Sequence, residues 1–414
     1  MARNYSAGAW TNDAILEALV NLSMHTPASL AAIPSAFAAL AVSRRETPVL
    51  YDPATGDWHL FRYDDVDRVL LDHAAFSSVE PARPGSPPMP EEFGMSILGM
   101  DPPRHRQLRA LVSQAFTPKA IAALRPRIEL LTQQLLDTVR SAGTGSMDFI
   151  KDFAEPLPIT VIAEMLGVPT AHRHEFKRWS DDVVSGDENR LLAGLAEMAV
   201  FFRELIASRR NRSAADLISG LMAAEIDGER LTEGEVIAFA ILLLVAGNET
   251  TTNLLGNAVI CLDAHPQAFA QVRENPALIP GAVEETLRWL PPVWQISRFA
   301  REGATVARQP IAEGARVIPW LAAANRDPDR FPAPDTFDIT RNPNRHLAFG
   351  RGIHACLGAP LSRLEAAIAL PLVIEQLPDL RRLHDTPVPL VASGGFVFGP
   401  RSLPVAFTPI LRTT

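Results

Sequence analysis

The stretch Phe349-Gly350-Arg351-Gly352-Ile353-His354-Ala355-Cys356-Leu357-Gly358 decides how this sequence is read. Its three glycines permit tight backbone turns and let the chain approach a flat ligand closely. The cysteine stands at the mouth of a helix expected over Pro360–Gln376. Amide N–H groups exposed at such a helix end stabilise a thiolate and make the sulfur a ligand or a nucleophile. A lone cysteine at a glycine-rich turn is more often a buried inert thiol, but the number of positions specified here argues against accident. The other cysteine, Cys261, lies in an apolar helical run and reads as core.

Around this loop the chain has the composition of an ordinary globular protein. Its 414 residues are 47% apolar and 21% charged, without a composition shift, so residues 1–414 read as a single domain. The net charge of -8 offers no basic excess for nucleic acid or an anionic membrane. Two cysteines cannot make a disulfide framework, which points to a reducing compartment. Residues 18–43 carry no Asp, Glu, Lys or Arg, but Asn21, Ser23, His25, Thr26, Pro27, Ser29 and Pro34 interrupt them. Neither a membrane span nor a secretory signal is expected there, leaving a soluble cytoplasmic protein, read as a monomer.

Most of the chain carries helical patterning. The exceptions are a hairpin within Val49–Phe61 around the Asp52–Asp57 turn, short strands within Ile296–Trp320, and a strand-like tail. A short helix is expected over Asp64–Asp72, then a loop with five prolines over Glu80–Gly94. Helical runs follow from Pro103 through Arg109 to Val139, Ile159 to Leu166, His172 to Val184, Leu191 to Arg210 and Pro280 to Leu290. The longest apolar helix spans Thr232 to Leu262, with a capping box of Thr232 and Glu235, and ends before Pro266. It is apolar nearly all round between Val236 and Val245, so it belongs at the centre of the protein.

Midway along it stands Ala246-Gly247-Asn248-Glu249-Thr250-Thr251. An acid and hydroxyls inside an apolar helix are costly unless they serve something. Ala246 and Thr250 lie one turn apart, and with Gly247 they offer a small-residue patch where a planar ligand could rest. The threonine hydroxyl can also bond back to a carbonyl and bend the helix. Further on, Glu285 and Arg288 are three apart and can pair on one helix face, a common spacing.

The cysteine loop resembles the haem-binding signature of the cytochrome P-450 family, and the resemblance runs from about residue 46 to the end, fitting the soluble bacterial branch; residues 1–45 match poorly. The family implies a mainly α fold, one large helical domain with small β-sheet regions, enclosing haem b between the long central helix and the cysteine-loop helix. It implies that Cys356 ligates iron, where thiolate electron donation favours O–O cleavage. Phe349, Gly350 and Gly358 would shape the haem cradle beside Ala246 and Gly247. Glu249 and Thr250 resemble the oxygen-activation motif and would help deliver protons. His105, Arg109, Arg298 and His354 would bind the propionates, which need cationic partners. Glu285 and Arg288 resemble the family's structural pair, tying their helix to the segment with Asn325, Arg326 and Phe331. The Asn248 position is variable, and little follows from it.

The distal pocket is expected from Ile97, Leu98, Leu242, Val245, Ala246, Val293, Trp294, Ile296, Phe396 and Val397, a mostly apolar set that points to a lipophilic small-molecule substrate. The activity implied is dioxygen-dependent hydroxylation or related oxidation. A peroxygenase or an oxidative coupling enzyme on the same scaffold has less need of Glu249 and Thr250, and a non-catalytic haem sensor or carrier needs neither. No flavin or iron–sulfur segment is present, so electrons are expected from a separate ferredoxin or flavodoxin with its reductase. Arg341, Arg345, Arg351 and Arg363, in a stretch without Asp or Glu, suggest a basic rim for that donor, extended by Arg104 and Arg106.

Overall fold

A computed structural model describes residues 29–81, 95–183, 187–210, 216–226, 228–393 and 397–409. The fold is mainly α, about 58% helical, with small sheets at the periphery. The central helix runs from Glu233 to Ala264, 32 residues and so roughly 48 Å long. Its capping box forms: Thr232 Oγ1 accepts from the Glu235 amide at 3.2 Å, and Glu235 Oε2 accepts from the Thr232 amide at 2.9 Å. By length and composition this helix could cross a membrane. Here it is the hub, packed by helices Pro156–Met165, Glu188–Arg210, Ile279–Trp289 and Ala359–Gln376 and by strand Val397–Pro400.

Several polar residues of this helix become ties to its neighbours. Asn248 Nδ2 donates to Ser180 Oγ at 3.1 Å, Thr251 and Ser362 hydroxyls meet at 3.2 Å, and Asn257 Nδ2 donates to the Leu290 carbonyl at 3.0 Å. Each satisfied bond offsets the desolvation of a buried polar group and fixes the register of two helices.

Strands Val49–Asp52, Asp57–Leu60, Arg316–Pro319, Arg298–Ala300 and Phe76–Ser77 form the largest sheet in that order. Its one parallel pairing sets Val317 against Trp58. A three-stranded sheet joins Arg381–Arg382, Pro404–Ala406 and Ser146–Asp148, the last a strand that patterning did not announce. The run expected from Pro103 to Val139 is broken into Arg104–Ser113, Pro118–Ala123 and Arg125–Ser141, the latter two each with proline in the first turn. Pro266 likewise opens a new helix, Pro266–Glu274, where only a stop was expected. Helices Ile33–Glu46 and Leu217–Ala223 were also not foreseen.

Glu285 and Arg288 are fully buried and paired by two bonds of 2.7 and 2.8 Å. Arg288 also donates to the carbonyls of Asn325, Pro334 and Thr336, and Glu285 accepts from the Asp338 amide, Arg341 and Asn344. Irregular chain before the cysteine loop is thereby pinned to a regular helix.

Candidate active site

The cysteine loop is closed by its own backbone. The Cys356 amide donates to the Phe349 carbonyl at 2.8 Å, and the Gly350 amide to Leu347 at 2.8 Å. Gly350 and Gly352 have φ of 63° and 69°, the left-handed region that glycine tolerates. Gly352 also lies so near helix Tyr63–Leu71 that a Cβ there would stand 2.6 Å from the Leu70 carbonyl oxygen. The helix begins at Ala359 with Gly358 as its cap, leaving Cys356 exposed just ahead of it. Although Cys356 keeps solvent contact, the protein packed around its sulfur desolvates it and raises the thiol, while the Gly358 and Ala359 amides and the Arg109 and Arg363 cations pull it back down.

Four cationic or potentially cationic side chains converge beside this loop. Arg109 Nη2 donates to the carbonyl of Ala355, next to the cysteine, at 2.6 Å. His105 and His354 rings lie 4.2 Å apart, and the buried Arg298 donates from Nη1 to the Ser297 carbonyl at 2.7 Å. Both ring nitrogens of His105 and Nε2 of His354 are buried without a hydrogen-bond partner. Burial drives His354 down to about 3 and Arg298 to about 10, and lowers His105. The nearby Asp101 is engaged elsewhere, by Ser77 Oγ, the Ser78 amide and Arg301. Uncompensated buried cations and orphaned ring nitrogens are costly, and a ligand bringing carboxylates relieves both. Haem, with two propionates, fits this donor set. Among the described residues no group of three His, Cys, Asp or Glu could hold a metal.

Across from the loop, the buried central helix opens along one stripe: Ala246 is exposed, and Leu242, Val245, Glu249 and Thr250 are half-buried. Thr250 Oγ1 donates to the Ala246 carbonyl at 2.7 Å. Gly247, beside Ala246, is partly exposed and also serves packing. A Cβ there would meet Ile162 at 3.0 Å, and Ala246 is the exposed small residue of the stripe. Glu249 is pushed up to about 7, first by desolvation and then by Asp181 and Glu155, with Arg401 opposing.

Val293 bridges Val397, and the Phe398 amide donates to the Pro292 carbonyl at 2.7 Å, so the two apolar turns expected around the pocket do meet. Trp294 is spent on packing, its ring stacked on Phe398 at 4.1 Å and tilted against Phe37 at 4.9 Å, which sets it behind the wall. Ile97 is buried, Leu98 is 54% exposed and Ile296 is half-buried. Phe396 and the prolines at 84, 87, 88 and 90 lie outside the described residues.

The basic rim is weaker than its local sequence implies. Arg351 pairs with Asp67 at 2.9 Å, Arg363 with Glu284 at 2.6 Å, Arg341 with Glu285, and Arg104 with Glu235 and Glu229. Arg106 and Arg345 make no ion pair among the described residues. Sequence reasoning also missed Glu284, one residue before the expected pair. It accepts from Arg363 and His346, and these partners hold its carboxyl near 2 against desolvation.

A family model described as cytochrome P450 matches residues 188–402. "Cytochrome P450 109" of Bacillus spizizenii is 45% identical over 377 residues, 88% of this chain and 90% of that protein. The structure of cytochrome P450 CYP109Q5 from Chondromyces apiculatus aligns with a TM-score of 0.85 at 40% identity, covering 92% of this chain and 98% of that one. CYP109E1 from Bacillus megaterium, solved in complex with testosterone, aligns with a TM-score of 0.82 at 37% identity, covering 90% and 99%.

Proposed function

The chain belongs to the cytochrome P450 family, and from that premise we propose that Cys356 is the axial sulfur ligand of its haem b. The protein is a haem-thiolate monooxygenase that oxidises small molecules with electrons from a redox partner. It is soluble, as its relatives are, and we read it as a cytoplasmic monomer with residues 1–414 forming one domain.

One observation carries the assignment of the site. Arg109, Arg298, His105 and His354, short of acid partners, converge on the loop that presents Cys356. These four would hold the propionates, while Phe349, Gly350 and Gly358 shape the loop around the sulfur. When bound, the haem supplies the one-electron steps and dioxygen activation. The chain's own part is to hold the sulfur, exclude water and move protons. Amides of Gly358 and Ala359 face the sulfur and favour its anionic form. Glu249, poised near 7, can release and regain a proton at its carboxyl near neutral pH, which is where a general acid works best. The Thr250 hydroxyl, bonded at rest to Ala246, would hand such a proton on only after turning from that carbonyl. A peroxide-driven enzyme has less need of this pair, and a sensor or carrier needs neither.

The substrate is lipophilic. Ile97, Leu242, Val245, Val293, Ile296 and Val397 offer an apolar wall, and the testosterone complex of CYP109E1 sets a sterol-sized compound as the first class to screen. The electron donor is of ferredoxin or flavodoxin type, with Arg106 and Arg345, which make no ion pair among the described residues, as its first contacts.

The test is the absorption spectrum of dithionite-reduced protein with carbon monoxide, for wild type and Cys356→Ala. A strongly red-shifted Soret band in the wild type that is absent from the variant supports the ligand assignment. An unshifted band in the wild type, or a red-shifted one in the variant, refutes it.

A further inference from the structure

Behind the cysteine loop, Glu284 and Arg363 join two helices. Arg363 donates from Nε and Nη2 to the two Glu284 oxygens at 2.6 and 2.9 Å. His346 Nε2 meets Glu284 Oε2 at 3.1 Å, so the carboxylate also grips the start of the loop. The Arg363 guanidinium lies over the Phe349 ring, 4.5 Å from its centroid. Phe349 is the residue whose carbonyl accepts from the Cys356 amide at 2.8 Å. A planar guanidinium does both jobs here: its edge satisfies a carboxylate in bidentate fashion and its face covers an aromatic ring.

We propose that Arg363 and Glu284 are positioning residues that set the reduction potential of the haem from the sulfur side. Arg363 holds Phe349 over the loop and supplies positive charge toward the sulfur; Glu284 aims that charge and partly cancels it. This rests on Cys356 being the iron ligand. Reduction adds negative charge to the iron–sulfur unit, so a nearby cation favours the ferrous form and a nearby anion opposes it. The two side chains are 42% and 30% exposed, so solvent screens them and the effect is moderate.

The charges act with opposite sign, and that separates tuning from bracing. In substrate-free holoenzyme, spectroelectrochemical titration of Arg363→Gln is expected to give a lower midpoint than wild type, and Glu284→Gln a higher one. Each shift should be about threefold in the one-electron equilibrium constant, ~28 mV at 59 mV per tenfold. The double variant should return close to wild type, and Arg363→Lys, which keeps the charge but not the fork, should move the midpoint less than Arg363→Gln does. Rising salt should shrink all of the shifts. These are equilibrium measurements and need no protein donor, so loss of a docking contact at Arg363 cannot imitate them. If both single variants shift the midpoint the same way, or neither shifts it, the pair is only a brace and the proposal is overturned. A wild type lacking the red-shifted carbon monoxide band would instead overturn the assignment of Cys356.

Discussion

Replacing Glu249 by glutamine should make the protein more stable and the enzyme worse, with a pH dependence of calculable size. The Glu249 carboxyl is raised from 4.5 to about 7, chiefly by desolvation, with Asp181 and Glu155 adding repulsion. In the unfolded chain the same group ionises near its ordinary value, so from that value upward the unfolded state sheds a proton that the folded state retains. Folding stability therefore falls as pH rises from about 4.5 to about 7, and is level above that. At 1.36 kcal/mol per unit, the full penalty of the native glutamate is about 3 kcal/mol, of which about 2 kcal/mol accrues between pH 5.5 and 8.5. Glutamine keeps the shape and cannot ionise. The melting temperature of Glu249→Gln relative to wild type should rise by a few degrees from pH 5.5 to 8.5. Other titrating groups are common to both proteins and cancel in the comparison. Product formed per electron consumed should fall in the same variant, because the proton that Glu249 releases near neutral pH is gone. A difference in melting temperature that stays constant across this pH range would refute both the perturbed carboxyl and the role built on it.

Arg298→Leu should leave the fold intact but loosen the haem. Losing one charge-assisted bond to a propionate costs about 1.5–3 kcal/mol, roughly 10- to 100-fold in the rate of haem transfer to a scavenging apoglobin. Glu285→Gln breaks a fully buried pair and weakens the acceptor that Asp338, Arg341 and Asn344 share, so the urea midpoint should drop by the equivalent of about 3–5 kcal/mol. Gly352→Ala puts a Cβ 2.6 Å from the Leu70 carbonyl at φ 69°, and should cost about 1–3 kcal/mol, visible as faster conversion of the carbon monoxide complex to an unshifted band.

The parts of this molecule that the sequence discloses are those whose physics is local. The capping box and the unbroken apolar run around Val236–Val245 define the central helix because helix ends and burial are both written within a few residues. The glycines of the cysteine loop announce their turns, since φ near 63° and 69° excludes most other residues. Strand Ser146–Asp148 is silent because three residues carry no period, and its partner Pro404–Ala406 is more than 250 positions away. Gly247 is ambiguous in the sequence, because a small residue in a helix looks the same whether it makes room for a ligand or for Ile162.

Charge is where local reading fails most. The window from Arg341 to Arg363 contains four arginines and no acid, yet Asp67, Glu284 and Glu285 fold onto three of them. Glu284 and Glu285 are neighbours in sequence but about 100° apart around their helix, so one turns inward to Arg288 and the other toward the cysteine loop. The set proposed to bind the propionates shows the converse: His105, Arg109, Arg298 and His354 come from three separate segments and remain short of acids after folding. Folding neutralises charges that have only a structural task, because burying them unpaired is costly. A cluster it leaves uncompensated therefore marks the place where a ligand completes the protein.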